Sequence, residues 1–433
     1  MSFINCFFMK AITSISFLLF SISTVSLGQK ADTLPPPHAT KSSMNFSNVV
    51  GWDDGEKPVA PPGFTVTLYA DGFENPRWLY QTPNGDVLVA ESNGKHTLLQ
   101  RIGAPLVGAN KANNLRKSAN RITLLRDTDH DGHPDLRQPF ITEHLDAPFG
   151  MLVLGNYLYV GNQNALIRFP YQPGDLTMTA KPDKVIDLPA GKVNRHWTRN
   201  IIASKDESKI YIGVGSGDNA AEKGMDKEIN RACILEVKPD GTGLRIFASG
   251  LRNPVGMGWA PGTNTLYAAV NERDELGDDL VPDYLTSVKE DGFYGWPYSY
   301  FGDHVDPRIK EKRPDLVKKA LVPDVPLGAH TASLGLAFYT GMSFPEKYQN
   351  GAFIAQHGSW NRSVLSGYKV VFVPFKNGKP SGEPEDFLTG FVKDLQHEKV
   401  RGRPVGVIML ADGSLLVADD KSNKIWRVAY TNK

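Results

Sequence analysis

The sequence predicts an all-β protein, a six-bladed β-propeller, and two observations carry this prediction. A short phrase recurs about six times, at intervals of roughly 50–80 residues, as expected for a propeller with one four-stranded blade per repeat. Gly and Pro are plentiful and alternate with short apolar runs, which is typical of an all-β fold rich in turns.

Each copy of the phrase has the form of a β-hairpin. In the clearest copy, a turn at Asn253 and Pro254 leads into an apolar strand, a polar turn at 261–264 and a second apolar strand that ends at Val270. Proline fixes its own φ and biases the preceding residue towards extended geometry, so it favours a defined entry into the strand. The copies begin at Asn75, Ala147, His196, Gly250, Ala332 and Gly402.

The N-terminal region divides into two segments before the repeats. Residues 1–28 have the pattern of a signal peptide, because Lys10 precedes an apolar run that begins at Ala11 and ends in small residues. A retained membrane anchor is the alternative. Residues 29–57 are polar and predict a mobile linker, and residues 58–433 form the catalytic propeller. Export predicts a periplasmic or secreted protein with no membrane span in the mature form.

Charge and cysteine content exclude several classes of function. The chain has 48 Lys and Arg against 47 Asp and Glu, and this balance gives no sign of nucleic-acid binding. Of the two cysteines, Cys6 lies in the predicted leader, so the mature protein has no internal disulfide. Cys233 lies in a strand pattern and is predicted to be a buried small hydrophobe. The sequence also lacks the G-x-S-x-G, Walker, H-E-x-x-H and C-x-x-C motifs.

An acidic loop between the first two copies predicts a calcium site. Asp127, Asp129 and Asp131 stand at positions one, three and five of a calcium-binding loop, and Asp135 stands at position nine. Position twelve holds Gln138 instead of the usual glutamate. A calcium ion here would be structural, and a solvated acidic turn is the alternative.

Basic residues recur where the phrases begin, and blades of one orientation bring these starts to one end of the channel. Because arginine binds planar carboxylates in bidentate fashion, such a cluster suits a flat, polyanionic ligand. Positive neighbours also favour the neutral form of a histidine, which can then act as a base. In the alternative, the arginines cap strand ends and pair with carboxylates of the 271–283 insert. The residues are Arg77, His196, Arg199, Arg252, Asn253, His330, Arg401 and Arg403.

Over about residues 60–430, the sequence resembles the soluble glucose/sorbosone dehydrogenase family, six-bladed propellers that bind pyrroloquinoline quinone (PQQ). The most specific shared parts are 250–254, the aromatic turn 294–297 and the pair Arg401 and Arg403. The resemblance implies that His196 takes the proton of the sugar's anomeric hydroxyl while hydride passes to the quinone. It also implies that Arg252 polarises the quinone oxygens.

The resemblance further implies that Arg401 and Arg403 hold the cofactor's carboxylates. The candidate cofactor-binding residues are Arg77, Asn253, Arg273, His330, Asn361, Arg362, Arg401 and Arg403. The sequence departs from the glucose-oxidising members at Val255, at 148–149 and at 360–362, where the family has glutamine, glutamine and lysine. These departures are more similar to the sorbosone- and pyranose-oxidising branch.

The leading hypothesis is a PQQ-dependent aldose or sorbosone dehydrogenase that passes electrons from a sugar to an external acceptor. A calcium-dependent lactonase of propeller type and a non-catalytic propeller that binds glycans or proteins are the alternatives. A lactonase needs metal-binding carboxylates that converge on the channel, and a binding module has no need for His196 beside Arg252, Arg401 and Arg403.

Overall fold

The computed structural model describes residues 34–95, 105, 108–113 and 115–431, and this part is nearly all β. The predicted signal peptide lies outside the described residues. Helical structure in the described part is short: α1 (Pro314–Val317) and the 3₁₀ turns Ala109–Ala112, Met225–Lys227 and Glu346–Tyr348. None of the helices in this part has the length and apolar character that a bilayer span requires.

Six sheets, each with four antiparallel strands, contain most of the strands, and one of them gains a fifth, parallel strand. The strands are numbered in chain order. Two strands, β1 (Asn48–Val49) and β2 (Phe64–Ala70), precede the first sheet. Sheet 1 contains β3 (Pro76–Gln81), β4 (Val87–Glu91), β5 (Arg121–Arg126) and β6 (Leu136–Ile141). Sheet 2 contains β7 (Met151–Leu154), β8 (Tyr157–Gly161), β9 (Ala165–Pro170) and β10 (Asp183–Asp187).

The next two sheets follow directly along the chain. Sheet 3 contains β11 (Ile201–Ala203), β12 (Ile210–Val214), β13 (Cys233–Val237) and β14 (Arg245–Ser249). Sheet 4 contains β15 (Pro254–Trp259), β16 (Leu266–Val270), β17 (Pro282–Ser287) and, after an insert, β21 (Val325–Ala329). The insert holds β18 (Gly292–Phe293), which pairs in parallel with β14, and the small hairpin of β19 (Ser299–Tyr300) and β20 (His304–Val305).

The last two sheets complete the series. Sheet 5 contains β22 (Ser333–Phe338), β23 (Ala352–Gln356), β24 (Lys369–Val373) and β27 (Glu385–Leu388), with the hairpin of β25 (Phe375–Lys376) and β26 (Lys379–Pro380) between them. β28 (Val392–Asp394) and β29 (Lys399–Val400) follow and pair with each other. Sheet 6 contains β30 (Pro404–Met409), β31 (Leu415–Asp419), β32 (Lys424–Tyr430) and, from the other end of the chain, β2.

The first strand of each sheet packs beside the first strand of the next. The strands in contact are β3 with β7, β7 with β11, β11 with β15, β15 with β22, β22 with β30, and β30 with β3. This packing is close: a Cβ atom on Gly335 in β22 would collide with the carbonyl oxygen of Val405 in β30. The starts of these six strands therefore face one common region.

Apolar clusters between neighbouring sheets form the core, because the second strand of each sheet is buried on both faces. All five residues of β4, β12, β16, β23 and β31 are buried. Cys233 in β13 is fully buried as predicted, and burial raises the pKa of its thiol to about 12. The core thus holds the sheets rigidly around the starts of their first strands.

The prediction of a mobile linker at 29–57 is wrong for residues 34–57, which pack against the sheets. β1 pairs in parallel with β29, and Trp52 donates a hydrogen bond from Nε1 to Asp419 at 2.9 Å. The Trp52 ring also meets Phe391 and Trp426 edge-on. The polar composition of residues 34–57 did not predict these contacts, because most of them are hydrogen bonds and contacts of isolated aromatic rings.

Candidate functional site

A cavity of about 300 Å³ lies where the first strands of the sheets begin. Five residues singled out in the sequence line it together: Arg77, His196, Arg252, Asn253 and Arg403. The other lining residues are Arg195, Trp197, Thr198, Asn271, Asp274, Ala332, Leu334, His357, Gly358 and Trp360. The size falls at the lower end of the range for small-molecule sites, about 300–1,000 Å³.

His196 is held by a loop that follows β12. Its Nδ1 lies 2.8 Å from the carbonyl oxygen of Ser216 and 3.0 Å from the Ser216 hydroxyl. Because a carbonyl oxygen only accepts, Nδ1 carries the proton of the neutral ring and Nε2 keeps its lone pair. Burial and then the positive charge of Arg252 hold the pKa of His196 well below its usual range. The ring is therefore a neutral base at ordinary pH.

Arg252 is only 2% exposed, and the loop after β16 surrounds it. Its Nη2 donates to Asp274 at 3.1 Å and to the Asn219 side chain at 2.8 Å, and Nε donates to the Asn219 carbonyl at 3.1 Å. Nη1 donates to the Glu272 carbonyl and makes longer contacts of 3.4 Å with Asn271. These bonds fix the guanidinium in place. The longest of them run from Nη1 to Asn271.

Asp274 neutralises part of the charge of Arg252. Burial alone would raise the pKa of Asp274, but hydrogen bonding to His330 and the charge of Arg252 outweigh burial and lower it. His330 reaches Asp274 through Nδ1 at 3.3 Å and the Gly277 carbonyl through Nε2 at 2.8 Å. The predicted cofactor residue His330 therefore supports Asp274 from behind and does not line the cavity.

A second group of charged residues forms the opposite wall. Arg77 donates to Asp420 at 2.7 Å, and Asp420 also lies 2.8 Å from Nε2 of His357. Burial and the charge of Arg403 hold the pKa of His357 well below its usual range, so His357 is neutral beside an ionised Asp420. Lys421, behind Asp420, is also buried, and burial lowers its pKa to about 8.

Arg403 lies beside His357 and is 4% exposed. Its Nε donates to the His357 carbonyl at 2.7 Å and its Nη2 donates to the Gly358 carbonyl. Its guanidinium lies 5.3 Å from the centre of the Tyr368 ring. Both bonds are to neutral carbonyl oxygens, so the positive charge of Arg403 remains available to an anion in the cavity.

Three buried polar atoms at the cavity have no hydrogen-bond partner among the residues that the structure describes. They are Oδ1 of Asn253, Nε of Arg77 and Oγ1 of Thr198. Buried polar groups are nearly always paired, so these three atoms point to a ligand with polar edges. Together with the positive charge of Arg252 and Arg403, they fit a flat cofactor that carries carboxylates.

Besides His330, five predicted site residues lie outside the cavity lining. Arg401 pairs with Glu56 at 2.7 Å, in the segment predicted to be a linker. Arg273 is fully buried between Glu272 and Asp306, at 3.0 and 3.1 Å.

Arg362 pairs with Asp279 at 2.8 Å, and Asn361 accepts from the Glu275 amide at 2.8 Å. Arg199 donates only to carbonyl oxygens and to Asn194. Of the phrase-start arginines, Arg252 pairs with a carboxylate of the 271–283 insert, Asp274, as the alternative predicted, although it also lines the cavity.

The acidic loop lies at the opposite end of the strands. Oxygen atoms of Asp127, Asp129 and Asp131 lie within 4.8 Å of one another, whereas Asp135 accepts hydrogen bonds from Thr128. The groove around this loop is lined by Gln81, which ends β3, and by Leu410, which follows β30. Arg77 and Arg403 lie at the other ends of the same strands, and six-residue strands span about 20 Å.

Sequence reasoning missed several residues of the cavity. His357 and Trp360 follow β23 directly, as Asp274 follows β16, and Asp420 follows β31. Their shared signal is a polar or aromatic residue just after the second strand of a hairpin. Because antiparallel strands return to the same end, these residues join the phrase starts around the cavity.

Comparisons with known proteins agree with this fold. A family model described as TrAA12-like matches residues 58–284 and 308–431. An uncharacterised protein of Borreliella burgdorferi is 32% identical over 302 residues, which cover 67% of this chain and 77% of that protein. The pyrroloquinoline quinone-dependent pyranose dehydrogenase of Coprinopsis cinerea is 29% identical over 315 residues, 59% of this chain and 42% of that protein. The chain thus matches less than half the length of that dehydrogenase.

Solved structures show the same fold. The holo PQQ domain of pyranose dehydrogenase from Coprinopsis cinerea has a TM-score of 0.69 at 20% identity, covering 89% of this chain and 100% of that one. The PQQ-bound aldose sugar dehydrogenase from Streptomyces coelicolor has a TM-score of 0.55 at 18% identity, covering 86% and 99%.

These matches define a class, the soluble PQQ-dependent sugar dehydrogenases, and so confirm the family recognised in the sequence. Within that class, the chain belongs to the TrAA12-like family.

Proposed function

We propose that the protein is a PQQ-dependent dehydrogenase that oxidises an aldose or related pyranose, sorbosone included, and that its six sheets are the blades of one closed propeller. The observation that carries the proposal is His196, a neutral base with its Nε2 lone pair unprotonated, beside a buried arginine in the same cavity. The ring of contacts among the first strands supports closure.

The residues around the cavity fit the cofactor. Arg77 and Arg403 on one wall would hold carboxylates, and Arg252 with Asn253 on the other would hold the quinone edge. When bound, PQQ supplies a quinone that accepts hydride from the sugar carbon that bears the reacting hydroxyl.

His196 performs the proton chemistry. Its Nε2 accepts the proton of the sugar's anomeric hydroxyl, and the Nδ1 hydrogen bond to the Ser216 carbonyl stabilises the charged ring that results. With PQQ bound, the positive charge of Arg252 would lie at the quinone edge and would favour negative charge there. Asp274 fixes the position of Arg252 and offsets part of its charge.

The lactonase alternative is less well supported by the arrangement of carboxylates. A calcium-dependent hydrolase needs several carboxylates around one cation in the channel, and Asp274 is the single carboxylate in the described lining of this cavity. In the part of the chain that the structure describes, the three-carboxylate group lies in the Asp127 loop. A binding module would not require a neutral base beside Arg252.

Three further predictions from the sequence belong to this proposal. Calcium would bind at Asp127, Asp129 and Asp131 and stabilise that loop. Electrons would leave to an external acceptor, and the protein would act in the periplasm or outside the cell. Each stays a prediction.

Reconstitution tests the function directly. The mature protein is titrated with PQQ and calcium, and cofactor absorbance is followed as aldoses and pyranoses are added. We expect binding of PQQ and bleaching of the oxidised quinone by at least one sugar. His196→Ala should bind PQQ normally and lose turnover by about 10²–10⁴-fold, the usual contribution of a general base.

The matched control is His397→Ala, because the His397 side chain is 67% exposed and is not among the residues that line the cavity. It should turn over like the wild type. Failure of the wild type to bind PQQ would exclude the dehydrogenase, and near-full turnover by His196→Ala would exclude His196 as the base.

A further inference from the structure

A short segment before β1 lies across two loops that border the cavity. We call residues 38–46 the strap. The first of these loops, 271–281, joins β16 to β17 and carries Asp274. The second, 357–368, joins β23 to β24 and carries Trp360. Asp274 and Trp360 both line the cavity.

The strap is hydrogen-bonded to the first loop at three points. The His38 amide donates to the Leu276 carbonyl at 2.7 Å. In return, the Asp278 amide donates to the Thr40 hydroxyl at 2.7 Å, and the Gly277 amide donates to the Ser42 hydroxyl at 3.1 Å. Backbone groups of the loop that would otherwise need water are therefore satisfied by the strap.

The second loop is bound more tightly. The Asn45 amide donates to the Trp360 carbonyl at 2.8 Å, and the Asn45 side chain donates to the Ser363 carbonyl at 2.9 Å. The Phe46 ring stacks on Trp360, with ring centres 5.7 Å apart and planes inclined by 17°. The strap thus fixes both the backbone and the ring of Trp360.

The depth of each lining residue in the cavity indicates whether the cofactor or the sugar contacts Trp360. Arg252 and Arg403 are 2% and 4% exposed, so the charges that suit the cofactor lie deep. Trp360 is half-buried and lies on a loop nearer the solvent. A substrate that arrives after the cofactor therefore contacts Trp360, and the negative face of an indole suits the C–H bonds of a sugar ring.

We propose that Phe46 is a positioning residue for the sugar, which it orients by holding the Trp360 indole as one wall of the substrate site. This inference rests on the proposed function and extends it: the strap, outside the six sheets, is part of the substrate site. Phe46 acts through Trp360 and touches neither cofactor nor sugar.

The test compares steady-state kinetics of Phe46→Ala and wild type after reconstitution with PQQ. We expect KM for the sugar to rise about three- to tenfold, as for the loss of an aromatic pair, with kcat and the PQQ dissociation constant within twofold. Phe46→Tyr should restore KM. The control is Met44→Ala, because Met44 is in the strap but 63% exposed, and its KM should not change.

A double-mutant cycle decides whether Phe46 acts through Trp360. In the Trp360→Ala background, Phe46→Ala should cause no further rise in KM. An equal rise in both backgrounds would overturn the inference, as would an unchanged KM in Phe46→Ala or a change confined to the PQQ dissociation constant.

A separate readout distinguishes this failure from failure of the proposed function. The near-ultraviolet circular dichroism of Trp360, taken as the difference from Trp360→Phe, should change in Phe46→Ala whether or not the protein turns over. If no sugar reduces PQQ bound to the wild type, both the proposed function and the assignment of this site to a sugar are wrong. If the dichroism difference is unchanged by Phe46→Ala, the positioning role itself is wrong.

Discussion

Gly215 sets the distance between the proposed base and the residue beside Arg252. A Cβ atom there would collide with Oδ1 of Asn253 and would lie 2.5 Å from Cβ of His196. The position follows β12 directly, so the clash cannot be relieved without moving the strand. Only glycine allows both side chains to line the cavity together.

We therefore predict that Gly215→Ala lowers kcat/KM by about 5- to 140-fold, if displacing His196 and Asn253 costs as much as overpacking, about 1–3 kcal/mol, where 1.4 kcal/mol is tenfold. Steady-state kinetics with PQQ and a sugar measures this, and far-ultraviolet circular dichroism verifies the fold. Gly258→Ala in β15 is the matched control, because its Cβ meets the side chain of Phe338, away from the cavity. Unchanged kinetics in Gly215→Ala would contradict the steric role.

Arg401 and Arg403 illustrate which single residues the sequence could place at the cavity and which it could not. Position in the phrase correctly brought Arg403 and Arg252 to the cavity. It could not place Arg401, because the partner of Arg401 is Glu56, in a segment whose polar composition concealed its packing. Arg273 was misplaced for a similar reason: its partner Asp306 lies 33 residues away in an insert without a repeat pattern.

At the scale of structural elements, the titratable residue Glu228 is hydrogen-bonded to the loop after β12, which positions His196. Glu228 accepts hydrogen bonds from the amides of Gly217 at 2.7 Å and Asp218 at 3.3 Å, beside the Ser216 carbonyl that orients His196. Burial raises the pKa of Glu228 to about 7. The folded protein therefore binds more protons at this site than the unfolded chain between the ordinary pKa of glutamate and about 7.

Because the folded state holds this extra proton, the contribution of Glu228 to the free energy of unfolding falls as the pH rises, and it is lost above about pH 7. We predict that the free energy of unfolding of wild type, relative to Glu228→Gln, decreases from about pH 4.5 to 7 and is then constant. Urea unfolding at several pH values measures it. Glu143→Gln, at an exposed position, is measured in parallel as the control.

At the scale of elements, the sequence predicted hairpins better than loops. Each phrase became the first two strands of a sheet, because alternation between apolar strands and turn residues is a local signal. The loops 271–281 and 357–368 carry Asp274 and Trp360, and their conformation depends on the strap, more than 200 residues away in sequence. No local pattern reports such contacts.

At the scale of the whole molecule, β2 and β32 are far apart in sequence and pair with each other in sheet 6. Their pairing runs from Phe64 opposite Tyr430 to Ala70 opposite Ile425. Phe64 also packs edge-on against Phe344, Tyr348 and Phe387 at 4.7–5.3 Å, which links sheet 6 to sheet 5. The repeats predicted the six larger sheets, but not that β2 belongs to the last of them.

We predict that Phe64→Ala lowers the free energy of unfolding by about 2–4 kcal/mol, somewhat below the usual cost of a fully buried Phe because Phe64 is half-buried. Leu68→Ala, at a 40% exposed position in the same strand, should cost less than about 1 kcal/mol. Urea unfolding monitored by tryptophan fluorescence measures both. Equal losses in the two variants would show that the junction between sheets 5 and 6 is not stabilised by Phe64.

The pairing of β2 with β32 also has a consequence for biogenesis. During synthesis β2 leaves the ribosome more than 350 residues before its partner, so a nascent chain carries an apolar strand with an unsatisfied edge until β32 has been made. Release of a fragment that stops before β32 would leave this edge without its partner. Such fragments should depend on chaperones and aggregate, whereas a chain that includes β32 pairs it with its own β2.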